Sequence, residues 1–355
     1  MVTLQKALIV EEIGKPLKLT KRPIPRPEPG WVLVKVVAAG INPHDRKSRD
    51  KGYLIESHVP GEVLTQDIAG TVVSLGDNVT KFAVGDRIFG QSDVLGGPDQ
   101  GGLQQYVVLH ADYAAKIPDG LSFDEAATIP VNAVAGFVAL FHESGFGLTP
   151  AEFNSGQESV DYSNETILVI GGGSNTGKFG LQFAKLAGFG RVVTTASTRD
   201  AAKVDYLKSL GATHVIDREA EDVVARIREL VGDDLLYAYD TINGGKNQGL
   251  GLAALSNSRR GSLVTLVRGE VDPVQVEAKK AGFRKEHAYG ASNLHGQFSA
   301  NFWAKFPEWI QQGKLRALDF QVIEGLDEEK VNRVLDDYRD GRAVVQAHVH
   351  PNAAE

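Results

Sequence analysis

Cysteine is missing from all 355 residues of this chain. Its absence excludes disulfides, thiolate zinc sites, iron–sulfur clusters and a cysteine nucleophile. Long apolar runs are missing too. The N-terminal stretch MVTLQKALIVEEIGKP loses its apolar run at Glu11 and Glu12, which is too short for a secretory h-region, and no later run reaches the roughly 18 residues a membrane span requires. The C-terminal PNAAE matches no lipidation or peroxisomal pattern. A cytoplasmic protein with no membrane partner is therefore expected. Basic character is also short: 38 Lys and Arg against 45 Asp and Glu give a net charge of −7, which argues against a nucleic-acid surface. Low-complexity segments and internal repeats do not stand out. What is present, 42% hydrophobic and 23% charged residues, is the composition of an ordinary globular chain long enough for two domains.

The first 125 residues or so read as β-rich. GWVLVKVVAAGI is an apolar run followed by a loop, and DIAGTVVSLG and VGDRIFG are strands bounded by Gly-Asp turn chemistry. Their close spacing suggests a compact barrel. The character changes at SFDEAATIPVNAVAGFVALFHE, where Ser122 is a candidate N-cap with Glu125 three residues on and apolar residues follow at helical spacing. After a polar Gly/Ser-rich stretch, SGFGLTPAEFNSGQESVDYSN, strands and helices alternate from TILVIGG to GSLVTLV. The helices are TGKFGLQFAKLAGFG, DAAKVDYLKSLGA, AEDVVARIRELVG and NQGLGLAALSN. That alternation specifies a doubly wound parallel sheet. EHAYGAS is a candidate edge strand for pairing between copies, and QFSANFWAKFPEWIQQGKL is an amphipathic helix. The end of the chain reads as strand, helix, strand and is expected to rejoin the first domain. The expected fold class is α/β, with a β-rich domain over about 1–127 that recovers 315–355 and a dinucleotide-binding domain over about 128–314.

The turn VIGGGSNTGKFG sits where the first of the alternating strands hands over to a helix. Glycines there allow the backbone to approach a pyrophosphate, which rests on the helix N-terminus. The spacing is Gly172-x-Ser174-x-x-Gly177, with serine at the middle glycine of the fingerprint. Gly172, Gly173, Ser174, Asn175, Thr176 and Gly177 are the candidate cofactor turn. An NAD site usually has an acid at the end of the second strand. Here that end reads TTASTRD, with Ser197, Arg199 and Lys203 and no acid before Asp200. Donors and cations suit a 2′-phosphate, so NADP(H) is the expected cofactor. Arg218, at the end of THVIDR, is counted with this cationic group.

One further stretch, GINPHDRKSRDKGY from Gly40 to Tyr53, gathers a histidine, acids, bases and a tyrosine. On the residues alone it is a metal site, a solvated charged loop or the proton-handling half of an active site. Charge-rich runs are commonly solvated faces.

Taken together, AAGINPHD, DIAGTVVSLGDNVTKFAVGDRIFG, GGLQQYVVLHADYAAKIPDGLSFDEAATIP, the glycine-rich turn, LKSLGATHVIDR and LDDYRDGRAVVQ resemble the medium-chain dehydrogenase/reductase superfamily over nearly the whole chain. The resemblance is to its zinc-independent enoyl reductase and quinone oxidoreductase-like branch, which includes fungal trans-acting enoyl reductases. It implies a GroES-like catalytic domain beside a Rossmann NADP-binding domain. Zinc-dependent relatives carry a cysteine in the AAGINPHD segment, Gly-His-Glu where this chain has Gln66–Asp67, and a four-cysteine lobe. All three are replaced here, which implies a metal-free site. The resemblance also implies roles for individual residues. Lys47 is the proton donor or oxyanion cation, Tyr53 the alternative donor, and Asn42 the residue that orients the loop or the nicotinamide ribose. Many relatives carry a threonine near the nicotinamide where this chain has Ala135, with Asn132 as a polar neighbour.

The expected activity is NADPH-dependent reduction of an α,β-unsaturated carbonyl, with hydride passing to the β-carbon and a proton to the enolate. The alternatives are a quinone or aldehyde reductase of the same fold, or a nucleotide-binding relative with little turnover. Expected partners are a small-molecule enone, enoyl thioester or quinone, in a monomer or homodimer.

Overall fold

The computed structural model describes residues 2–152, 159–244 and 248–353. It divides into two units, Met1–Val131 with Ala291–Glu355, and Asn132–Gly290.

In the first unit the strand Trp31–Gly40 is central. Its alternation buries Val32, Val34 and Val36 completely, as expected for a half-buried strand. It pairs antiparallel with Asp67–Leu75, Tyr106–His110 and Gln346–His350. The seven-stranded sheet runs Phe320–Glu324, Gln346–His350, Trp31–Gly40, Asp67–Leu75, Arg87–Gln91, Ala114–Lys116, with Tyr106–His110 branching from Trp31–Gly40. A smaller sheet joins Lys18–Pro23, Leu4–Val10 and Glu62–Val63. The strand-helix-strand reading of the C-terminus holds, and its last strand is tied down by Asp124. That carboxylate meets His348 Nδ1 at 3.2 Å and His350 Nε2 at 2.9 Å.

Two boundaries differ from the sequence reading. The chain re-enters the first unit at Ala291 rather than 315. The helix Gly296–Gln311 buries Phe302, Trp303, Phe306 and Trp309, and Phe89 meets the Trp303 and Phe306 rings at 5.5 and 6.3 Å in edge geometry. Aromatic pairs of this kind contribute beyond their buried area, so this helix belongs with the sheet carrying Phe89. The run from Ser122 is also not one helix. Ser122 caps Phe123–Ala127 as expected, with Glu125 N donating to Ser122 Oγ at 3.1 Å. The helix then stops at Thr128, and a second begins at Pro130 and runs to Phe141. Proline cannot continue a helix but suits its first position.

The second unit is built on a six-stranded parallel sheet in the order His214–Asp217, Arg191–Ala196, Thr166–Ile170, Tyr237–Asp240, Gly261–Thr265, Phe283–His287. Numbered by chain position within this sheet, the order is 3-2-1-4-5-6, the doubly wound arrangement that binds ligands beyond the carboxyl ends of its strands. Leu168, Ile170, Val193, Ala238, Leu252 and Leu263 pack together in its core. The strand at one end of the sheet is Phe283–His287, so the strand expected from EHAYGAS is displaced: only Glu286 and His287 of that stretch belong to it. The helix expected from NQGLGLAALSN appears as Gly249–Ala254, and its Asn247 lies outside the described residues. So do residues 153–158 of the Gly/Ser-rich stretch. Among the described residues no helix is long and apolar enough to cross a membrane.

Candidate active site

The stretch expected to be a loop at Gly40–Tyr53 is a helix, Pro43–Lys51. Asn42 is its N-cap and Pro43 its first residue. Asp45 Oδ2 accepts from Asn42 N at 2.7 Å, and Gly52 closes the helix in left-handed conformation. Each of these is a local helix signal. What hides them is composition: the helix buries Asp45, Ser48 and Arg49 instead of an apolar stripe.

Those buried charges brace the helix. Arg49 bonds Asp50 Oδ1 and Asp336 Oδ1, each at 2.7 Å, and donates to the carbonyl of Asn332. Asp45 Oδ1 accepts from Thr65 N at 3.0 Å. Asp67 lies fully buried beneath the helix start. Its Oδ2 accepts from Asn42 Nδ2 at 2.6 Å and Gln346 Nε2 at 3.0 Å, and its Oδ1 from Val131 N at 2.6 Å. Burial pushes the Asp67 carboxyl up to about 7 against those donors, which favour its ionised form. Asn42 is thus buried and engaged with Asp67.

On this helix Lys47 is half-buried. Burial holds its ammonium below the usual lysine range, helped by Arg46 and Lys51. Among the described residues no carboxylate forms an ion pair with it. Tyr53 follows the helix with 42% of its surface exposed. Its carbonyl accepts from Ser48 Oγ at 2.8 Å. His44 Nε2 lies 3.6 Å from Asp45 Oδ1.

In the second unit the glycine-rich turn is packed on the sheet. A Cβ at Gly172 would lie 2.1 Å from Thr194 Oγ1, and one at Gly177 would lie 2.2 Å from the Gly171 carbonyl. Only glycine allows so close an approach of helix and strand. Ser174 has its own explanation. It is the N-cap of Asn175–Leu186, its Oγ accepting from Gly177 N at 3.0 Å and contacting Thr241 Oγ1 at 3.0 Å. Thr176 Oγ1 donates to Asn132 Oδ1 at 3.2 Å. A backbone cradle at a helix N-terminus fits a dinucleotide pyrophosphate.

The cations expected at the second strand end are present, and each has an acid beside it. Arg199, whose side chain is 77% exposed, pairs with Glu219. Arg218 reaches the same carboxylate at 3.8 Å, and Lys203 lies 4.0 Å from Asp200. Ser197 is half-buried at the strand end. Ala135 packs on Gly290, where an added Cβ would lie 2.5 Å from the Ala135 Cα.

Two family models match the chain. Residues 28–119 match the alcohol dehydrogenase GroES-like domain, and residues 176–305 match the zinc-binding dehydrogenase family. A trans-enoyl reductase of Alternaria alternata is 30% identical over 351 residues, covering 95% of this chain and 96% of the relative. The chain belongs to the medium-chain dehydrogenase/reductase superfamily, in its enoyl-reductase branch. A trans-enoyl reductase of Gibberella fujikuroi is 28% identical over 92% of this chain and 93% of its own. Among solved structures, an alcohol dehydrogenase superfamily protein of Novosphingobium aromaticivorans superposes with a TM-score of 0.78 at 26% identity, over 98% of this chain and 99% of that one. The β-rich unit is thus GroES-like and the parallel-sheet unit Rossmann-like, and members of the superfamily are oxidoreductases that bind nicotinamide cofactors.

Sequence reasoning named Asp67 only as part of the segment that replaces Gly-His-Glu, placed Asp45 in the motif that holds Lys47 without a role of its own, and gave Arg49 and Gln346 no role. The capping pattern Asn-Pro-x-Asp with Gly52 was the available signal for the helix. No local signal points to Gln346.

Proposed function

We propose that the protein is an NADPH-dependent, metal-free enoyl reductase acting on the carbon–carbon double bond of a small enone or enoyl thioester. The observation that carries this is Lys47, half-buried, free of a carboxylate partner among the described residues, and held on a helix braced by Asp67, Asp45 and Arg49. A desolvated ammonium is a better acid than an exposed one and a stronger counter-charge to an oxyanion. Among the described residues no group of three or more His, Asp or Glu side chains is arranged to hold a metal. In this reading hydrogen bonds and Lys47 polarise the substrate carbonyl.

The nicotinamide, when bound, supplies the hydride. Gly172, Gly177 and the capped N-terminus at Ser174 would hold the pyrophosphate, with Asn175 and Thr176 in the first turn. Arg199 and Arg218 both pair with Glu219, and a 2′-phosphate beside Ser197 would offer them a further anion. Lys203 adds charge on the next helix. Lys47 stabilises the enolate oxygen or delivers a proton to the α-carbon of the enolate, with Tyr53 as the other donor. The relatives support the reaction class: the two fungal proteins above are trans-enoyl reductases.

The test is steady-state kinetics of NADPH and NADH oxidation with an enone, an enoyl thioester and a quinone. NADPH and the conjugated carbonyls should be preferred. Lys47→Ala should lower kcat by about 10²–10⁴-fold with little change in cofactor affinity. Recovery in Lys47→Arg assigns the lysine to the oxyanion, because arginine keeps its charge but does not give up a proton. Full activity in Lys47→Ala, or a preference for NADH and quinones, would overturn the reading.

A further inference from the structure

The serine that stands at the middle glycine of the fingerprint is held from two sides. Ser174 Oγ accepts from Gly177 N at 3.0 Å, and it lies 3.0 Å from Thr241 Oγ1. Thr241 is buried and follows Tyr237–Asp240, the strand beside Thr166–Ile170 in the parallel sheet. Between those two strands the strand order reverses, which is where a doubly wound sheet binds its ligand. The loop that carries Thr241 is itself fixed. Asp240, fully buried, accepts from Ile242 N at 3.1 Å, Asn243 N at 2.9 Å and Asn243 Nδ2 at 3.0 Å. Ile242 packs on Gly171, where an added Cβ would lie 2.7 Å from Ile242 Cγ2.

A hydroxyl has one proton to give. That of Thr241 goes to the Ile170 carbonyl at 2.8 Å, a shorter contact than the one with Ser174. Ser174 therefore donates to Thr241 while it accepts from Gly177 N. The hydrogen-bonded chain runs in one direction, from Gly177 N–H through the Ser174 and Thr241 hydroxyls to the Ile170 carbonyl. Its two ends are the last residue of the strand and the first turn of the helix Asn175–Leu186, so Thr241 ties together both sides of the glycine-rich turn. We propose that Thr241 is a positioning residue for the cofactor. Through Ser174 it holds the turn in its binding geometry, and Ser174 spends its proton on Thr241 and not on a phosphate. The proposal rests on the reading that this turn holds a nicotinamide dinucleotide, and it asks nothing of the 2′ end. A turn fixed before the ligand arrives costs less to order on binding. NADH and NADPH both carry the pyrophosphate, so losing the strut weakens both alike, unlike a change at Arg199.

Dissociation constants of NADPH and NADH, read from the fluorescence of the bound cofactor on the full chain, test this. Thr241→Val keeps the shape and removes the hydroxyl. Both constants should rise by about fivefold, as expected for one neutral hydrogen bond, and the loss should appear in KM for the cofactor and not in kcat. Thr241→Ser, which keeps the hydroxyl, should bind as the parent does. Ser174→Ala breaks the same chain at a half-buried position and should weaken binding at least as much. The double variant should be no weaker than Ser174→Ala alone, because the two residues act through one contact. A Thr241→Val protein that is less stable on heating but binds both dinucleotides like the parent overturns the proposal and leaves Thr241 a purely structural residue. So does weaker binding in Ser174→Ala alone, the pattern of a serine that bonds the phosphate directly. A parent that prefers NADH, and loses fivefold in Thr241→Val, fails the NADPH reading and keeps the strut. A parent that binds neither dinucleotide overturns both.

Discussion

Asp67 shows how one buried side chain can set the behaviour of a helix start. Its carboxyl receives Asn42, Gln346 and Val131 N, and burial raises it from 3.8 to about 7. Between those two values the folded protein holds a proton that the unfolded chain has released. Folding stability therefore falls as pH rises from about 4 to about 7, by something on the order of 4 kcal/mol across the window. Asp67→Asn removes this titration. Thermal unfolding of both proteins at a series of pH values should show the asparagine variant gaining on the parent as pH rises through that range, and level beyond it. Parallel profiles, or a variant that loses ground, would mean that the three donors outweigh burial and keep the carboxylate ionised. The same reasoning explains why Lys47 differs from the other bases of its stretch. Arg49 is spent on Asp50 and Asp336, whereas Lys47 is partly desolvated and feels the like charges of Arg46 and Lys51.

At the scale of elements, the two candidate parts of the site are both helix beginnings, held by different means. The Pro43–Lys51 helix is held by side chains that reach it from distant strands and helices. The Asn175–Leu186 helix is held by backbone contact with the strand before it, which only glycine permits. A Cβ at Gly177 would meet the Gly171 carbonyl at 2.2 Å and the Gly172 Cα at 2.8 Å, whereas at Gly173 the nearest atom would be the Ala196 Cβ at 4.0 Å. Gly177→Ala should therefore cost about 2 kcal/mol or more in stability and displace the turn. NADPH affinity, measured by the fluorescence of the bound cofactor, should fall at least about tenfold with it. Gly173→Ala should unfold within a degree or two of the parent, since about 0.5 kcal/mol is typical of a tolerated substitution. A Gly177→Ala protein as stable as the parent would show that the helix can move away without cost.

For the whole molecule, the two units differ in how the chain builds them. The second is continuous, Asn132–Gly290, while the first closes only when Ala291–Glu355 returns. The returning part supplies Gln346–His350, which lies between Phe320–Glu324 and Trp31–Gly40, and the four buried aromatics of Gly296–Gln311. Residues 132–290 expressed alone should show a single cooperative thermal transition, because their sheet and core are complete without the rest. Residues 1–131 alone should show none, since the sheet lacks its C-terminal strands and Phe89 lacks its aromatic cover. Circular dichroism on heating checks both fragments. Cooperative unfolding of residues 1–131 alone would show that the returning segment is an addition and not part of that unit's core.

What the sequence determined by itself is what short spacing can encode. The alternation of strands and helices from Thr166 onward set the parallel sheet, and Gly172-x-Ser174-x-x-Gly177 marked the tight turn after its first strand, because a tight strand-to-helix connection depends on a few adjacent residues. Ser122 and Glu125 marked a helix start for the same reason. The Asn42-Pro43-Asp45 pattern was equally local, yet it lay under a charge run that carries no apolar period, because this helix is anchored by ion pairs. Tertiary structure alone decided the rest. Gln346 meets Asp67 across 279 positions of chain, and Trp303 meets Phe89 across more than half of it, so neither pairing leaves a mark on nearby residues. Whether Lys47 is a solvated base or a strained acid depends on how much water the fold removes from it. Desolvation belongs to the packed structure, and no spacing of residues can write it in advance.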